Sequence, residues 1–526
     1  MKSKLTIDRD QVVSKIDPRI WGSFAEHLGR SIYEGIYQPD HPTADEDGFR
    51  TDVIDAVKKL NVPLVRYPGG NFVSAYNWED GIGPKDQRPT RLELAWRSKE
   101  TNQFGIHEFM KWAKKVGTEP DMAVNLGTRG IDAARNLIEY CNFPKGTYWS
   151  DLRRQNGAEK PFNIKVWSLG NEMDGPWQIG HKTAYEYGRL ADETAKAMRL
   201  IDPDIELIAC GSSSHQINTF GTWEETLLDQ AYDNVDYLSL HQYYDDSDHD
   251  LGEFLGKSVD FDHFITDVAN ICDAVKARRH SKKQINLSID EWNVWYHSKA
   301  ADEKQAPWQV APHLLEDHYN FMDALLVGSL AITLMKHADR VKIGCLAQLV
   351  NVIAPIMTNT DGTPSVWYQS IFYPFMQASN FGRGTALSVK ADVPTYQAKD
   401  YEVPYTDSVA TYDDNGVLTI FVVNKSKEKV DFESTIQNFD VKGLKEATQF
   451  CGYDLMKTNE DQSMQVNSLD NVTVSDDKVS AELQPLSWDV IRINVNDEII
   501  KYKKSGTEEI QYPTFYYLLH DYLVTL

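Results

Sequence analysis

Residues 167–177 read WSLGNEMDGPW and place a glutamate, Glu172, just after an apolar segment. The apolar residues suit a buried strand, whereas Gly170 and Pro176 interrupt regular strand pairing. We therefore expect a strand that carries a carboxylate at its carboxyl end. A single glutamate in this setting is more often a helix cap or a loop residue than a catalytic group, so a catalytic interpretation needs a second carboxylate that is similarly placed.

Residues 285–296, INLSIDEWNVWY, contain that second carboxylate. Apolar residues alternate through Ile289, and the run then ends in Asp290 and Glu291. Glycosidases place a pair of carboxyl groups on either side of the bond that they cleave. Two glutamates at two strand ends therefore favour cleavage of a glycosidic bond.

Eight apolar runs suited to buried strands alternate with segments of helical spacing, a pattern typical of a (β/α)8 TIM barrel. The apolar runs cover residues 20–24, 62–65, 122–126, 164–169, 205–209, 237–240, 285–289 and 343–349. The helical segments cover residues 52–60, 106–116, 183–200, 261–279 and 314–337. We predict one catalytic barrel over residues 18–385, with its active site at the carboxyl ends of the strands.

Polar residues follow almost every one of these runs, as the barrel interpretation demands. They are Glu26, Arg66, Asn125, Glu172, Ser212, His241, Glu291 and Gln348. Any one of them could be a cap or a hydrogen-bonded structural residue. Their joint occurrence favours a shared site for a sugar or a charged group.

After about residue 385 the pattern changes to short alternating segments without helical spacing. Asp414, Asn415 and Gly416 form a strong hairpin signal ahead of the apolar run 417–423. We predict a β-sandwich of the jelly-roll type over residues 386–497, joined by a strand from residues 1–17. Residues 498–526 fit neither domain and stay unassigned.

The composition indicates a soluble protein that does not bind nucleic acid. The net charge of −24 would repel a phosphate backbone. The 5 cysteines show no disulfide or zinc spacing, and the histidines show no metal-ligand spacing, so a metal-dependent hydrolase is a weak alternative. No signal segment opens the chain, and the longest apolar stretch, 321–335, is too short for a bilayer. We expect a cytoplasmic protein without membrane contact.

Glu172 follows the fourth apolar run and Glu291 follows the seventh, and strands four and seven face one another across a barrel mouth. The two glutamates are therefore expected to differ in protonation. Two charges about 5 Å apart repel by about 3 kcal/mol at an effective dielectric constant of about 20, or roughly two pK units. Arg66 could stabilise an ionised Glu291, and Tyr243 could donate a hydrogen bond to it. We therefore assign the proton to Glu172. Asn171 is placed to reach a hydroxyl of the bound sugar.

Four separated motifs resemble glycoside hydrolase family 51, the α-L-arabinofuranosidases. They are GSFAEHLGR (22–30), VRYPGGNF (65–72), WSLGNEMDGPWQ (167–178) and DEWNVWY (290–296), and they occur in the expected order. The resemblance implies exo release of terminal non-reducing arabinofuranosyl residues by a retaining double displacement. In that mechanism Glu291 is the nucleophile and Glu172 is the acid/base. It also implies a cofactor-free homohexamer that acts on arabinose-containing oligosaccharides or polysaccharides.

The resemblance further implies a set of residues around the substrate. The furanose would be bound by Glu26, Asn71, Asn171, Tyr243 and Gln348, with Trp96 and Trp295 lining the site near the scissile bond. Arg66 would lie beside the nucleophile, and we expect His241, at the end of the sixth strand, to support it as well.

Two other functions stay open at this stage. The same barrel and glutamates could act on a β-glucan or a xylan, because a fold does not fix a substrate. The barrel could also bind carbohydrate without catalysis, although retention of both glutamates together with Arg66 and Tyr243 argues against it. Arabinan, arabinoxylan and short oligosaccharides all remain open as the natural substrate.

Overall fold

The computed structural model describes residues 1–359, 365–475 and 477–496. The unassigned segment 498–526 lies outside these residues. Within them, the chain forms a closed parallel barrel followed by a part made mostly of strands.

Strands and helices alternate through the barrel, and short strands dominate after it. The strands before the C-terminal part are β1 Lys2–Lys15, β2 Gly22–Phe24, β3 Leu64–Tyr67, β4 Arg91–Glu93, β5 Ser98–Glu100, β6 Glu119–Val124, β7 Val166–Leu169, β8 Glu206–Cys210, β9 Tyr237–Tyr244, β10 Asn286–Val294, β11 Val341–Leu346, β12 Ile356–Thr358 and β13 Val366–Tyr368. The later strands are β14 Thr385–Asp392, β15 Thr395–Gln397, β16 Glu402–Pro404, β17 Thr406–Tyr412, β18 Val417–Asn424, β19 Val430–Gln437, β20 Asp440–Phe450, β21 Asn467–Ser468, β22 Thr473–Val474, β23 Lys478–Leu483 and β24 Ser487–Asn496. The helices are α1 Thr51–Leu60, α2 Ile106–Val116, α3 Ile131–Asn142, α4 Tyr148–Gln155, α5 Ala184–Ile201, α6 Thr222–Ala231, α7 Leu251–Arg278, α8 Lys299–Asp302, α9 Phe321–Lys336 and α10 Phe372–Phe381.

The barrel closes in the order β10-β11-β2-β3-β6-β7-β8-β9, with parallel pairing throughout. Each of the eight predicted apolar runs overlaps one of these strands, so the barrel prediction is confirmed. The strands are short and largely buried on both faces, as in β7, where all four residues are buried. Helices cover their outer face, which explains why the strands read as continuous apolar runs.

Two predicted helices begin at the wrong residue, and in each case a capping side chain sets the true start. α7 begins ten residues before the predicted residue 261, because the Asp250 carboxylate accepts the Glu253 N–H at 3.0 Å. α9 begins after the predicted residue 314, because Asn320 accepts the Asp323 N–H at 3.1 Å. Side chains of this type satisfy the free N–H groups of a first helical turn. Spacing alone does not reveal which of several polar residues takes that role.

Helix α9 joins the barrel to the C-terminal strands. Residues 321–335 are all buried, and a helix that is apolar on every side must be covered on every side. It packs on β10 on one side and on β17 and β18 on the other. Gly328 lies at that contact, where a Cβ would come within 2.7 Å of the Trp488 ring. Within the described ranges, no helix is both long and apolar enough to cross a membrane.

The C-terminal strands form one ten-stranded sheet with its own apolar core. Its order is β21-β20-β24-β18-β17-β14-β1-β19-β23-β22. β1 pairs in parallel with β19 and antiparallel with β14, so the first residues of the chain lie inside this sheet. β17 and β18 form the predicted hairpin, with Gly416 at φ +74° in its turn. The exact domain boundaries stay a prediction.

Candidate active site

A cavity of about 550 Å³ opens at the carboxyl end of the barrel. Most of the predicted site residues line this cavity. They are Glu26, Asn71, Trp96, Glu172, Tyr243, Glu291, Trp295 and Gln348. Two other strand-end residues, Asn125 and Ser212, contact neighbouring segments of the fold instead. The Asn125 amide donates to the Tyr76 carbonyl at 2.9 Å, and the Ser212 N–H donates to Glu224 at 2.7 Å.

Glu172 follows β7 in a turn with unusual backbone geometry. Gly170 has φ +91°, and Glu172 itself has φ +42°. A residue with a side chain pays roughly 1–2 kcal/mol for the left-handed region, and such strain concentrates at functional sites. The turn directs the Glu172 carboxylate toward His241, whose Nδ1 lies 2.9 Å from Oε1. The Trp177 indole N–H donates to the other oxygen, Oε2, at 2.6 Å.

Glu291 lies on β10 and receives two hydrogen bonds. Arg66 Nη1 donates to Oε1 at 2.7 Å, and the Tyr243 hydroxyl donates to Oε2 at 2.8 Å. Burial raises the pKa of Glu291 above its usual range, while the positive charges of His241 and Arg66 oppose that rise. The carboxylate thus lies in a buried setting with donors on both oxygens.

The two carboxyl groups are close together. One oxygen of Glu172, one oxygen of Glu291 and one ring nitrogen of His241 all lie within 4.8 Å of one another. Such a group could in principle hold a metal ion, but His241 is poorly suited to it. Burial alone would lower the pKa of His241, yet the charge of Glu291 and the contacts with Asp290 and Glu172 raise it well above its usual range. A doubly protonated ring has no lone pair to give to a metal.

Arg66 connects the nucleophile candidate to its surroundings. Besides Glu291 it donates through Nη2 to Asn171 Oδ1 at 2.7 Å, and its guanidinium lies 4.9 Å from the centre of the Phe24 ring. Asn171 in turn donates to Asn71 Oδ1 at 3.1 Å. Asn171 is fully buried and lies behind the cavity lining, so its amide orients Arg66 and Asn71 in this structure.

Glu26 binds groups from three separate segments. It accepts the Phe72 N–H at 2.8 Å, the Trp96 indole N–H at 3.1 Å and the Gln348 amide at 3.1 Å. Burial raises the pKa of Glu26 to about 8 despite these donors. Its position therefore fixes both Trp96 and Gln348 against the cavity.

Three residues near the site were missed by the sequence reasoning. Trp177 is 53% exposed at the cavity although it contacts Glu172, and its place five residues after Glu172 was the available signal. Lys299 lies 5.5 Å from the Trp295 ring and 3.7 Å from Asp245, at the start of the short helix α8, which the sequence reasoning did not predict. Asp290 is buried beside Glu291, where strict alternation along a strand would not place it.

Family models match both halves of the chain. The model described as "Alpha-L-arabinofuranosidase 1 domain" matches residues 56–264, and the model described as "Alpha-L-arabinofuranosidase C-terminal domain" matches residues 290–487. Together they include Arg66, Glu172 and Glu291.

Individual relatives agree over nearly the whole chain. The intracellular exo-α-(1→5)-L-arabinofuranosidase 1 of Bacillus subtilis is 56% identical over 94% of this chain and 99% of its own length. The exo-α-(1→6)-L-arabinofuranosidase of Bifidobacterium longum is 48% identical over 94% and 97%. The solved structure of AbfB, a family 51 α-L-arabinofuranosidase from Bifidobacterium longum, superposes with a TM-score of 0.89 at 44% identity, covering 94% of this chain and 99% of that one. The barrel with its paired glutamates, the two matching domain models and these relatives establish that the chain belongs to the α-L-arabinofuranosidases of glycoside hydrolase family 51.

Proposed function

We propose that this arabinofuranosidase releases terminal non-reducing α-L-arabinofuranosyl residues by a retaining double displacement. Glu291 attacks the anomeric carbon while Glu172 gives its proton to the glycosidic oxygen, and the bond between carbon and oxygen breaks. Glu172 then takes a proton from water, the water oxygen attacks the anomeric carbon, and Glu291 leaves as a carboxylate. Arabinose is released, and both glutamates return to their first state.

The short separation of the two carboxyl groups carries this proposal. Retaining glycosidases hold them about 5–5.5 Å apart, whereas inverting enzymes leave about 6.5–9.5 Å for a water molecule. Oxygens of Glu172 and Glu291 that lie within 4.8 Å of one another support the retaining arrangement.

The contacts of the two glutamates support unequal roles. Glu291 accepts from Arg66 and Tyr243, and donors on both oxygens favour the ionised form that a nucleophile needs. Glu172 has one oxygen beside the exposed Trp177, where a leaving group could approach from solvent. Glu172 is therefore the proposed acid/base.

The remaining lining residues are the proposed substrate contacts. Glu26, Asn71, Gln348 and Tyr243 offer polar groups to furanose hydroxyls, and Trp96 and Trp295 offer flat apolar faces. His241 and Arg66 support the charges of the two glutamates. Asn171 acts on the sugar through Asn71 and on the nucleophile through Arg66.

The names of the relatives support a proposal for the substrate and for the cellular compartment. One relative is named for α-(1→5) and one for α-(1→6) linkages, both as exo-acting enzymes. We propose arabinose-containing oligosaccharides as substrates, the cytoplasm as the compartment and a homohexamer as the assembly. The relative named intracellular and the five free cysteines support the compartment. Light scattering on the purified protein tests the assembly.

The decisive experiment follows the stereochemistry of an aryl α-L-arabinofuranoside by proton NMR. The first product should have the α configuration, and a first product with the β configuration would refute the retaining mechanism. Glu291→Gln and Glu172→Gln should each lose orders of magnitude in turnover while circular dichroism stays unchanged. Near-normal turnover in either variant would remove that residue from its role.

The substrate panel needs the competing sugars as controls. Aryl β-glucoside and aryl β-xyloside should be hydrolysed far more slowly than the arabinofuranoside, because the polar groups of the cavity would be left unpaired by a misplaced pyranose hydroxyl. Faster hydrolysis of either pyranoside would overturn the proposed substrate class. Paired α-(1→5)- and α-(1→6)-linked arabino-oligosaccharides then define the linkage.

A further inference from the structure

Strand β10 contains a bulge just before the proposed nucleophile. Against β9, Ser288 pairs with Ser239 and Glu291 with His241, so three steps on β10 match two on its neighbour. The same mismatch occurs against β11 between Ile289 and Trp292. One extra residue is therefore inserted between Ile289 and Glu291. Bulges of this kind redirect side chains, often next to active sites.

The bulge changes where Asp290 points. In a regular strand, Asp290 and Glu291 would lie on opposite faces of the barrel wall. Here both are buried near Arg66 and His241, with Asp290 only 1% exposed. Two adjacent carboxylates on the same side of a strand repel each other, so another interaction must offset the free-energy cost of this arrangement.

Asp290 faces two cations, and His241 is the closer one. Asp290 Oδ1 lies 3.0 Å from His241 Nε2, and Oδ2 lies 3.8 Å from Arg66 Nε. Among the described residues neither oxygen of Asp290 has a well-aligned hydrogen-bond donor. The contact is therefore one between opposite charges, which salt screens less in a buried setting than at the surface.

The other nitrogen of the same ring faces the proposed acid/base. His241 Nδ1 lies 2.9 Å from Glu172 Oε1 and 3.6 Å from Glu291 Oε2. Asp290, His241 and Glu172 thus form a continuous series of side chains. A carboxylate on one nitrogen of a histidine fixes the orientation and protonation of the other nitrogen.

We propose that Asp290 is a positioning residue for the acid/base and acts on Glu172 through His241. This proposal rests on the proposed roles of Glu172 and Glu291. When Glu172 gives its proton to the glycosidic oxygen it becomes a carboxylate, and the Nδ1–H of His241, held by Asp290, donates to that new charge. Preorganised donors of this kind stabilise charge as it develops in the transition state. The proton count of the reaction is unchanged, because His241 keeps its proton.

Leaving-group chemistry tests the proposal. The variant Asp290→Asn keeps the shape of the side chain and removes its charge. Aryl α-L-arabinofuranosides with poor leaving groups need the acid, whereas 2,4-dinitrophenolate leaves without it. General acid catalysis contributes about 10²–10⁴-fold, so we expect kcat/KM to fall about tenfold or more for the phenyl glycoside and less than about threefold for the dinitrophenyl glycoside.

A second buried aspartate supplies the matched control. Asp121 on β6 is also fully buried and influences Arg66, but it accepts its hydrogen bonds from Ser168. Asp121→Asn should change all substrates of the series by the same factor. A defect of Asp290→Asn that is likewise even across the series would show that Asp290 acts through Arg66 or on the fold, and would overturn the proposal.

Two further variants separate this proposal from the proposed function. Asp290→Asn combined with His241→Gln should be no slower on the phenyl glycoside than His241→Gln alone, and additive losses would overturn the proposal. If Asp290→Asn does not fold, His241→Gln must show the same leaving-group selectivity, and an even loss there overturns it. If Glu172→Gln itself shows no such selectivity, the acid/base assignment fails instead.

Discussion

Replacing Arg66 by methionine removes the guanidinium beside Glu291 and keeps much of its volume. Arg66 Nη1 lies 2.7 Å from Glu291 Oε1, and both residues are buried. Burial raises the pKa of Glu291, and the charges of His241 and Arg66 oppose that rise. Without Arg66 the opposition weakens, so Glu291 should hold its proton up to a higher pH.

The attraction between two close charges gives the size of the expected pKa shift. Unit charges about 4 Å apart interact by about 4 kcal/mol at an effective dielectric constant of about 20, which corresponds to about 3 pH units. Because His241 remains and water can enter the vacated space, we expect a shift of at least about one unit. A nucleophile must be ionised, so the acid limb of the kcat/KM profile should move to higher pH.

The assay is the pH profile of kcat/KM on a neutral aryl α-L-arabinofuranoside, which reports the groups of the free enzyme. Arg66→Lys is the matched control, because it keeps the charge but cannot donate in a planar fork to both Glu291 and Asn171. It should be slower than the wild type with its acid limb near the original position. An Arg66→Met profile lowered equally at every pH would refute the electrostatic role of Arg66.

Three other outcomes are expected. Asn171→Ala should lower kcat about tenfold to hundredfold, since a hydrogen bond to a charged group contributes about 1.5–3 kcal/mol and this one orients Arg66; an unchanged kcat in the folded variant would reject that role. Gly70→Ala should lower kcat by up to about 10²-fold, because its Cβ would lie 2.9 Å from Glu291 Oε1 and displace the nucleophile; normal turnover would show that Glu291 tolerates the contact. Dialysis against a chelator should leave kcat unchanged, because His241 faces carboxylates with both ring nitrogens; a loss that added metal restores would contradict this.

The barrel could be predicted because its strands are buried on both faces and therefore form continuous apolar runs. The same geometry made the site readable, since side chains such as Glu172 and Gln348 follow the strand ends and meet at one mouth. The first residues of the helices were harder to predict from the sequence. Asn320 and Asp250 are caps, but many other polar residues in the sequence have the same chemistry without that position.

Contacts that depend on departures from regular geometry could not be predicted. The β10 bulge places Asp290 beside His241, and period-two alternation would assign it to the opposite face. Asn171 contacts Arg66 and Asn71, which lie 105 and 100 residues away along the chain, so spacing does not reveal these contacts. A contact of Asn171 with the sugar stays a prediction. Trp177 approaches Glu172 through a turn in which Glu172 adopts a left-handed backbone conformation. No residue pattern in the sequence predicts that turn.

The place of β1 in the C-terminal sheet has a consequence for how the chain is made. On a ribosome, Lys2–Lys15 emerges well before its antiparallel neighbour at Thr385–Asp392, which is translated about 370 residues later. At about 5–20 residues per second this interval is roughly 20–75 s, during which the barrel can assemble while the first strand keeps unmatched backbone groups. Strand β1 is therefore a segment of the nascent enzyme that a chaperone would protect until its partners are made.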